Sequence, residues 1–558
     1  MALNAYRDCN EAPPGVLGVS VRPMSEPWYR TAVFYEISVR SFFDSNGDGV
    51  GDLQGVIDKL DYVRDLGVGC IWIMPFMKSP LLDGGYDVSD FRDVLAEFGT
   101  LEDAKRLTEE VHARGMRIIG DIPLNHTSDA HPWFQEARRD PNSPKRDWFV
   151  WSDTDSKYSD VRVIFVDAED SNWEWDEQAG AYYWHRFFRH QPDLNYDNPQ
   201  VQEEMIDTVR FWLSLGFDGL RLDAIPTLFE REGTDCENLP ETHEFIKRIR
   251  AMLDSEFPDA MLLAEAYAHP RQMVDYFGDG DECHMAFHFP LASDLFMSLK
   301  QADAASLRRS LTDTPAIPLG AQWGTFLRNH DELLIELLTP EEHDYMWQEY
   351  APEPAMRGNR NIRRRLAPLL DGDRRKIQLL LGLTMSLPGS PYLYYGDEIG
   401  MGDDTNLSDR DGLRTPMQWS DGPTAGFSTA SPDLLFLPVV SRPGYGADDV
   451  NVANQDGDAG SLLSWVRNLV AERKRHPVLG VGALELVETG HTGVFAYLRH
   501  GDEEILVAAD FSGTQQQISA AVSGSVATDL LSGDRLPIEH GSVKISLSPF
   551  GFRWLRLS

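Results

Sequence analysis

The feature that most constrains this chain is a rhythm. Short apolar runs at Val33–Ser41, Cys70–Pro75, Met116–Pro123, Gly219–Ala224, Met261–Ala266, Met285–Pro290, Trp323–Asn329 and Pro391–Gly396 are interleaved with segments whose apolar residues recur every three to four positions. Those segments predict helices at Leu53–Leu66, Leu101–Arg114, Val201–Leu215, Thr242–Phe257 and Arg374–Leu387. Strands alternating with crossover helices build a parallel sheet, and eight of them predict an α/β fold closed into a (β/α)8 TIM barrel.

Two stretches are too long to be simple connections. Between the third and fourth strands only Val201–Leu215 is needed as a crossover helix, so the aromatic, turn-rich residues 127–198 are expected to form an inserted small lobe. A second insertion at about 332–371, after the seventh strand, mixes aromatics, Pro and the basic run Arg360–Arg365, and is expected to act as a lid. Beyond the helix predicted at Ser461–Arg475, short alternating runs such as Gly493–Arg499, Glu504–Ala509 and Val543–Leu547 predict a C-terminal β-sandwich over 477–558. The expected division is thus a lead-in at 1–26, barrel at 27–126, inserted domain at 127–198, barrel again at 199–476, and the sandwich.

Composition excludes several classes. Apolar residues at 42% and charged residues at 25% of 558 supply an ample core, so the chain is not disordered. A net charge of −38 repels phosphate backbones and anionic lipid surfaces, which argues against nucleic acid and membrane partners. Cys9, Cys70, Cys236 and Cys283 are scattered without C-x-x-C spacing, which suits reduced thiols rather than disulfides or zinc. The opening MALNAYRDCNEAPPG lacks the basic end and apolar run of a secretory signal, and a cytoplasmic location is expected.

In such a barrel chemistry sits at the C-terminal ends of the strands. Asp223 ends the fourth strand, Glu265 the fifth, and Asp331 follows the seventh. One acid at a strand end can simply cap a helix, but three on one barrel face suggest catalysis. Retaining glycosidases need a carboxylate nucleophile and a general acid about 5 Å away, which adjacent strand ends can supply. Arg221, on the same strand face as Asp223, is expected to keep that acid ionised, whereas Glu265 needs a less charged pocket to hold its proton. His126 and His330, also at strand ends, are assigned to hydrogen bonds with sugar hydroxyls.

DIPLNH (121–126), GLRLDAIPT (219–227), LLAEAY (262–267) and FLRNHD (326–331), in this order, resemble the four signature regions of the α-amylase superfamily, glycoside hydrolase family 13. QPDLN (191–195), with Gln191, resembles the fifth. The resemblance implies Asp223 as nucleophile, Glu265 as acid/base, Asp331 as transition-state stabiliser, and Asp121, His126, Arg221 and His330 around the first sugar. GYDVSD (85–90) and RDGLRTPMQW (410–419) resemble the branch acting on terminal α-glucosyl units, implying that Asp87 and Arg414 pair to close the pocket behind that sugar. Tyr267 departs from the asparagine usual after the acid/base region. EREGTDCENLPETHEF (230–245) and YYGDEIGMGDD (394–404) are similar to members that isomerise maltose and trehalose. That activity is expected here, with an exo-α-glucosidase or oligo-1,6-glucosidase as the alternative and a non-catalytic sugar-binding protein as a weaker one. A homo-oligomer is expected, and any maltokinase partner is expected to be a separate protein.

The loop DSNGDGVGD (44–52) offers oxygens at Asp44, Asn46, Asp48, the carbonyl of Val50 and Asp52, with Gly49 at the turn. This is three-quarters of a calcium loop, lacking the terminal bidentate Glu, because Gly55 stands there. A structural Ca²⁺ or Mg²⁺ is expected, and no organic cofactor.

Overall fold

The computed structural model describes residues 26–558, so the lead-in read from the sequence, Cys9 included, lies outside the described residues except for Glu26. Eight parallel strands close into a barrel: β1 (Phe34–Ile37), β2 (Cys70–Ile73), β3 (Arg117–Pro123), β4 (Gly219–Asp223), β5 (Met261–Ala264), β6 (Met285–Phe287), β7 (Gln322–Phe326) and β8 (Ser390–Tyr394). Each neighbours the next in sequence, and β8 returns to β1 with Phe34 opposite Tyr392 and Glu36 opposite Tyr394. Every strand overlaps one of the apolar runs read from the sequence, and all eight are shorter, β7 and β8 each starting one residue earlier than read. The first run, for example, passes from the ladder at Ile37 into a helical turn at Val39–Phe42.

Aromatic rings fill the barrel. Phe34 stacks on Tyr392 at 4.2 Å between centroids, and Trp72 lies 5.5 Å from Phe287 and 5.9 Å from Tyr392. Around this core the crossover helices begin where their caps dictate. Thr100 and Asp103 make a reciprocal capping box for Leu101–Ala113, and Asn198 caps Pro199–Ser214, whose first residue is proline. The helix predicted at Leu53–Leu66 is instead broken at Lys59 into Leu53–Asp58 and Leu60–Asp65. At the break the Lys59 ammonium lies 3.9 Å from the Phe43 ring centre and 4.4 Å from that of Trp419, contacts worth keeping a cation for.

Between β3 and β4 stands a lobe with a helix (Pro132–Arg139) and a three-stranded antiparallel sheet (Trp151–Ser152, Trp173–Asp176, Ala181–Trp184). An isolated bridge from His126 to Asp193 fastens it to the barrel rim, and another from Phe149 to Leu194 closes the lobe on itself. After β7, the helix Pro340–Tyr350 and a small hairpin (Arg357–Gly358 with Asn361–Ile362) cover the same rim. Within the basic run Arg360 is exposed, but Arg364 and Arg365 are buried and are not a solvated face. Arg364 pairs with Asp403 at 2.9 Å, both buried, and Arg365 donates to the carbonyls of Tyr395 and Leu413.

Eight antiparallel strands over 483–557 form one continuous sheet that folds back on itself. The strand Val494–His500 shows why it holds two cores. Val494, Ala496 and Leu498 face the interior of the folded sheet, while Phe495 and Tyr497 face the barrel. Arg473 and Arg499, both buried, reach from the last long helix and this strand to the carbonyls of Met385, Ser386 and Gly389, just before β8. Among the described residues no helix is long and apolar enough to cross a membrane, and Cys70, Cys236 and Cys283 are free and buried.

Candidate active site

The carboxylates cluster because strand register puts them side by side. Asp121 on β3 is opposite Arg221 on β4, and Leu222 is opposite Ala264, so Asp223 and Glu265 emerge together from neighbouring strands, which run about 4.8 Å apart. Arg221 is fully enclosed and serves all of them. Its Nη1 donates to Asp223 Oδ1 and to both oxygens of Asp121 at 2.8 Å, and its Nη2 lies 3.2 Å from Glu265 Oε1. Ala224 adopts a left-handed φ of +52°, uncommon for a residue with a side chain, and this turns its N–H onto Glu265 Oε2 at 2.8 Å. The acid pair is therefore held both through a guanidinium and through the backbone.

This arrangement differs from the expectation of one charged and one less charged environment. The same guanidinium touches both acids. Burial, followed by the charges of Glu265, Asp121 and Asp331, pushes the Asp223 carboxyl well up, and Arg221 opposes this only in part. The Asp223 carboxyl thus sits among like charges that its single guanidinium partner does not fully balance.

Asp331 has the opposite surroundings. It receives Arg410 Nη1 at 3.0 Å and Arg414 Nη2 at 2.9 Å on Oδ1, and His330 Nε2 lies 3.0 Å from Oδ2. Burial works against ionisation, yet these three cations hold its carboxyl well below the usual carboxylate range. His330 is raised to about 9: burial lowers it, and Asp331 and Glu36 more than compensate.

Asp223, Glu265, Asp331 and His126 line one cavity of about 150 Å³, together with Asp83, Tyr86 and Arg410. Phe165 and Phe187 of the inserted lobe, Tyr267 and Phe289 supply its apolar walls. His126 is neutral, burial bringing its pKa down to about 3, and its Nε2 has no partner among the described residues. The remaining substrate-binding candidates stand one layer back. Gln191 is buried and donates to Asp83 Oδ2 at 2.9 Å. Both ring nitrogens of His330 are engaged by Glu36, Asp331 and Tyr86, so in this geometry it orders protein groups rather than offering itself to a sugar hydroxyl.

The expected pairing of Asp87 with Arg414 does not occur. Asp87 is fully enclosed and accepts from Ser79 Oγ and the backbone N–H groups of Leu82 and Asp83, which shapes the loop. The acid beside the cavity is Asp83, paired with Arg410, while Arg414 goes to Asp331 and the His330 carbonyl. The turn between the two acids explains the exchange. Gly84 and Gly85 have φ of +60° and +109°, and the reversal sends Asp83 to the cavity and Asp87 into its own loop.

Over the mouth, Arg162 of the inserted lobe reaches Glu237 Oε1 at 3.0 Å and Glu336 Oε2 at 2.9 Å. Asp167 and Asn359 exchange hydrogen bonds between lobe and hairpin, and the Leu337 N–H donates to Tyr267 Oη at 3.1 Å. Tyr267 thus both walls the cavity and holds the segment after β7.

In the loop at 44–52, Asp44 accepts from the N–H groups of Asn46, Gly47 and Gly49, Asn46 from Asp48, and Asp48 from Val50. Asp52 caps the following helix at Gly55 and holds Ser45. Gly49, with φ of +95°, makes the turn of a cation loop. No three His, Cys, Asp or Glu side chains converge as a metal cluster among the described residues, so the loop offers turn geometry rather than a preassembled donor set.

A closed parallel barrel carrying acids at β4, β5 and after β7 is the scaffold of a glycosidase-type enzyme, and the sequence matches agree: the α-amylase catalytic domain model fits residues 36–350 and 356–482, and the maltogenic amylase C-terminal domain model fits 484–554. The chain belongs to the α-amylase family. Within it, the chain is 57% identical over 487 residues to the trehalose synthase/amylase TreS of Mycobacterium tuberculosis (strain CDC 1551 / Oshkosh), covering 86% of this chain and 81% of that protein. It is 50% identical over 549 residues to the trehalose synthase of Pimelobacter sp. (strain R48), covering 95% and 96%. In structure it resembles the trehalulose synthase MutB from Pseudomonas mesoacidophila MX-45, with a TM-score of 0.77 and 29% identity over 95% of this chain and all of that one.

Asp83, Tyr86 and Arg410 escaped the sequence reading, although Asp83 and Tyr86 stand within five residues of Asp87 and Arg410 opens the same motif as Arg414. Glu36 escaped it too, though a charged residue within the apolar run FYEI was a visible signal.

Proposed function

We propose that this protein is an intramolecular transglucosylase that interconverts maltose and trehalose with retention, releasing a little glucose by hydrolysis. The observation that carries the reading is the acid pair on adjacent strand ends, Asp223 and Glu265, joined by Arg221 under a bridged mouth. With Glu265 protonated, Asp223 attacks the anomeric carbon while Glu265 protonates the departing oxygen, giving a β-glucosyl ester and free glucose. Asp331, fixed as an anion, faces the positive charge that develops on the sugar ring.

Glucose then turns within the pocket, and Glu265, now a base, takes the proton from its anomeric hydroxyl as that oxygen attacks the anomeric carbon of the glucosyl ester and the bond to Asp223 breaks, freeing its carboxylate. Two inversions give the α,α-1,1 bond of trehalose. Water competes at this step. The Arg162 bridges, the Asp167–Asn359 contacts and the Tyr267 tether favour transfer by keeping the glucose close and solvent out.

The reading is tested by incubating the purified protein with maltose and resolving trehalose from glucose over time, with isotopically labelled glucose added. Trehalose should dominate and carry no label. Glucose alone would point to a hydrolase, and efficient labelling would rule out the intramolecular route.

We also propose that the 44–52 loop takes Ca²⁺ or Mg²⁺ through Asp44, Asn46, Asp48, the Val50 carbonyl and Asp52. The oxygen spacing and the exposure of Asn46 and Asp48 support this.

A further inference from the structure

Glu36 lies on β1, 1% exposed, inside the barrel and away from every residue the proposed reaction uses directly. One carboxylate oxygen is bonded to His330 Nδ1, and the other has no hydrogen-bond partner among the described residues. A buried carboxylate with an orphaned oxygen destabilises a fold unless a nearby cation neutralises it. Among the described residues the only group its carboxylate bonds is the imidazole whose other nitrogen faces Asp331 Oδ2 at 3.0 Å. Glu36, His330 and Asp331 therefore form a line, acid–imidazole–acid, from the barrel wall to the cavity.

We infer that Glu36 is a positioning residue for glucosyl transfer: through His330 it fixes the charge and orientation of the Asp331 carboxylate. The inference rests on the proposed role of Asp331. An imidazole between two carboxylates is best placed as a cation donating from both nitrogens, one bond to each acid. As a cation it stabilises ionised Asp331, and its two bonds fix the ring plane. Tyr86 reinforces that plane, its ring stacked on His330 at 5.4 Å and its hydroxyl 2.8 Å from Nε2.

The other groups around the imidazole come from every neighbouring element. Trp72 of β2 meets it edge-on at 5.6 Å, and Arg414 Nε donates to the His330 backbone carbonyl at 3.1 Å. Asp121 of β3 and Arg221 of β4 reach it through the Tyr86 hydroxyl, with opposite charges that partly offset each other. Glu36 and Asp331 are the two carboxylates in direct contact, and they are what raises the histidine to about 9. Glu36→Gln keeps shape and one acceptor but deletes one of these two charges, and loss of an opposite charge at contact lowers a pKa by about 1–3 units.

The test uses α-glucosyl fluoride, whose leaving group needs no protonation, so the titration of Glu265 as an acid drops out of the fluoride-release rate. If the wild-type protein releases no fluoride, the proposed function itself fails. Given wild-type turnover, kcat/KM for fluoride release should decline above about pH 9 as His330 loses its proton. In Glu36→Gln the decline should move down by about one pH unit or more, with kcat affected more than KM. Superimposable pH profiles for the two proteins would overturn the inference. Should the variant fail to fold, wild-type protein carrying ¹⁵N-labelled histidine answers the same question. One doubly protonated imidazole persisting at pH 8 supports the inference, and its absence refutes it.

Discussion

Replacing Arg162 by Ala removes the side chain that joins the inserted lobe to Glu237 and to Glu336 across the cavity mouth. Arg162 is 45% exposed, so each bridge is screened and worth about 0.2–1 kcal/mol. The two together hold the mouth closed by about 0.4–2 kcal/mol, a factor of about 2–30 in the closed-to-open ratio. If escape of glucose and entry of water both require the open form, the ratio of glucose to trehalose made from maltose should rise by up to that factor, while total maltose consumption changes less. Arg162→Lys, which can reach one acid but not fork between two, should fall between. Added salt should move the wild-type ratio in the same direction, because exposed pairs weaken as the Debye length shortens. The assay is quantitative sugar chromatography at low maltose conversion. An unchanged ratio in a folded Arg162→Ala protein would refute the idea that these bridges keep water from the glucosyl ester.

Other outcomes follow from the same geometry. Asp223→Asn should abolish turnover yet raise the melting temperature, because it removes one of three acids crowded around Arg221; normal isomerisation by that variant would contradict its role as nucleophile. Asp193, whose pKa burial drives up to about 8, is a group favoured in its protonated form by folding. Its contribution is therefore present at low pH and is lost as pH rises from about 4 towards 8, so the melting-temperature difference between Asp193→Asn and wild type should grow in the variant's favour between pH 5 and 8. Exhaustive chelation should lower the melting temperature if the 44–52 loop holds a cation, since a ligand bound only by the native state stabilises it. An unchanged curve, with no metal by elemental analysis, would leave the loop as a self-bonded turn.

The barrel and the central acids were legible because they are written in periodicities. Strand runs and helix stripes give the topology, and an acid placed two residues after an arginine on a strand must share its face, as Asp223 does with Arg221. What the sequence hid was decided by turns. Asp83 and Asp87 flank the same two glycines, and no pattern distinguishes them. Only the positive φ values at Gly84 and Gly85 determine which one faces the cavity. Arg410 and Arg414 pose the same problem on an irregular loop, where side-chain direction follows no period. The difference in environment expected between Asp223 and Glu265 failed for another reason: one buried guanidinium has two faces to offer, and both acids use it.

The grip of Arg473 and Arg499 on the carbonyls before β8 has a consequence for how the chain is made. β1 cannot complete its pairing until β8 arrives roughly 350 residues later, on the order of 20–70 s at ordinary elongation rates. Throughout that interval the nascent barrel is an open sheet with two unsealed edges, β1 and whichever strand was made last. Even when β8 has left the ribosome, the residues that pin its approach belong to segments not yet synthesised. Closure of the catalytic ring is therefore expected to be late, and a ribosome stalled between residues 415 and 472 would carry every residue of the active site without either arginine that pins the approach to β8.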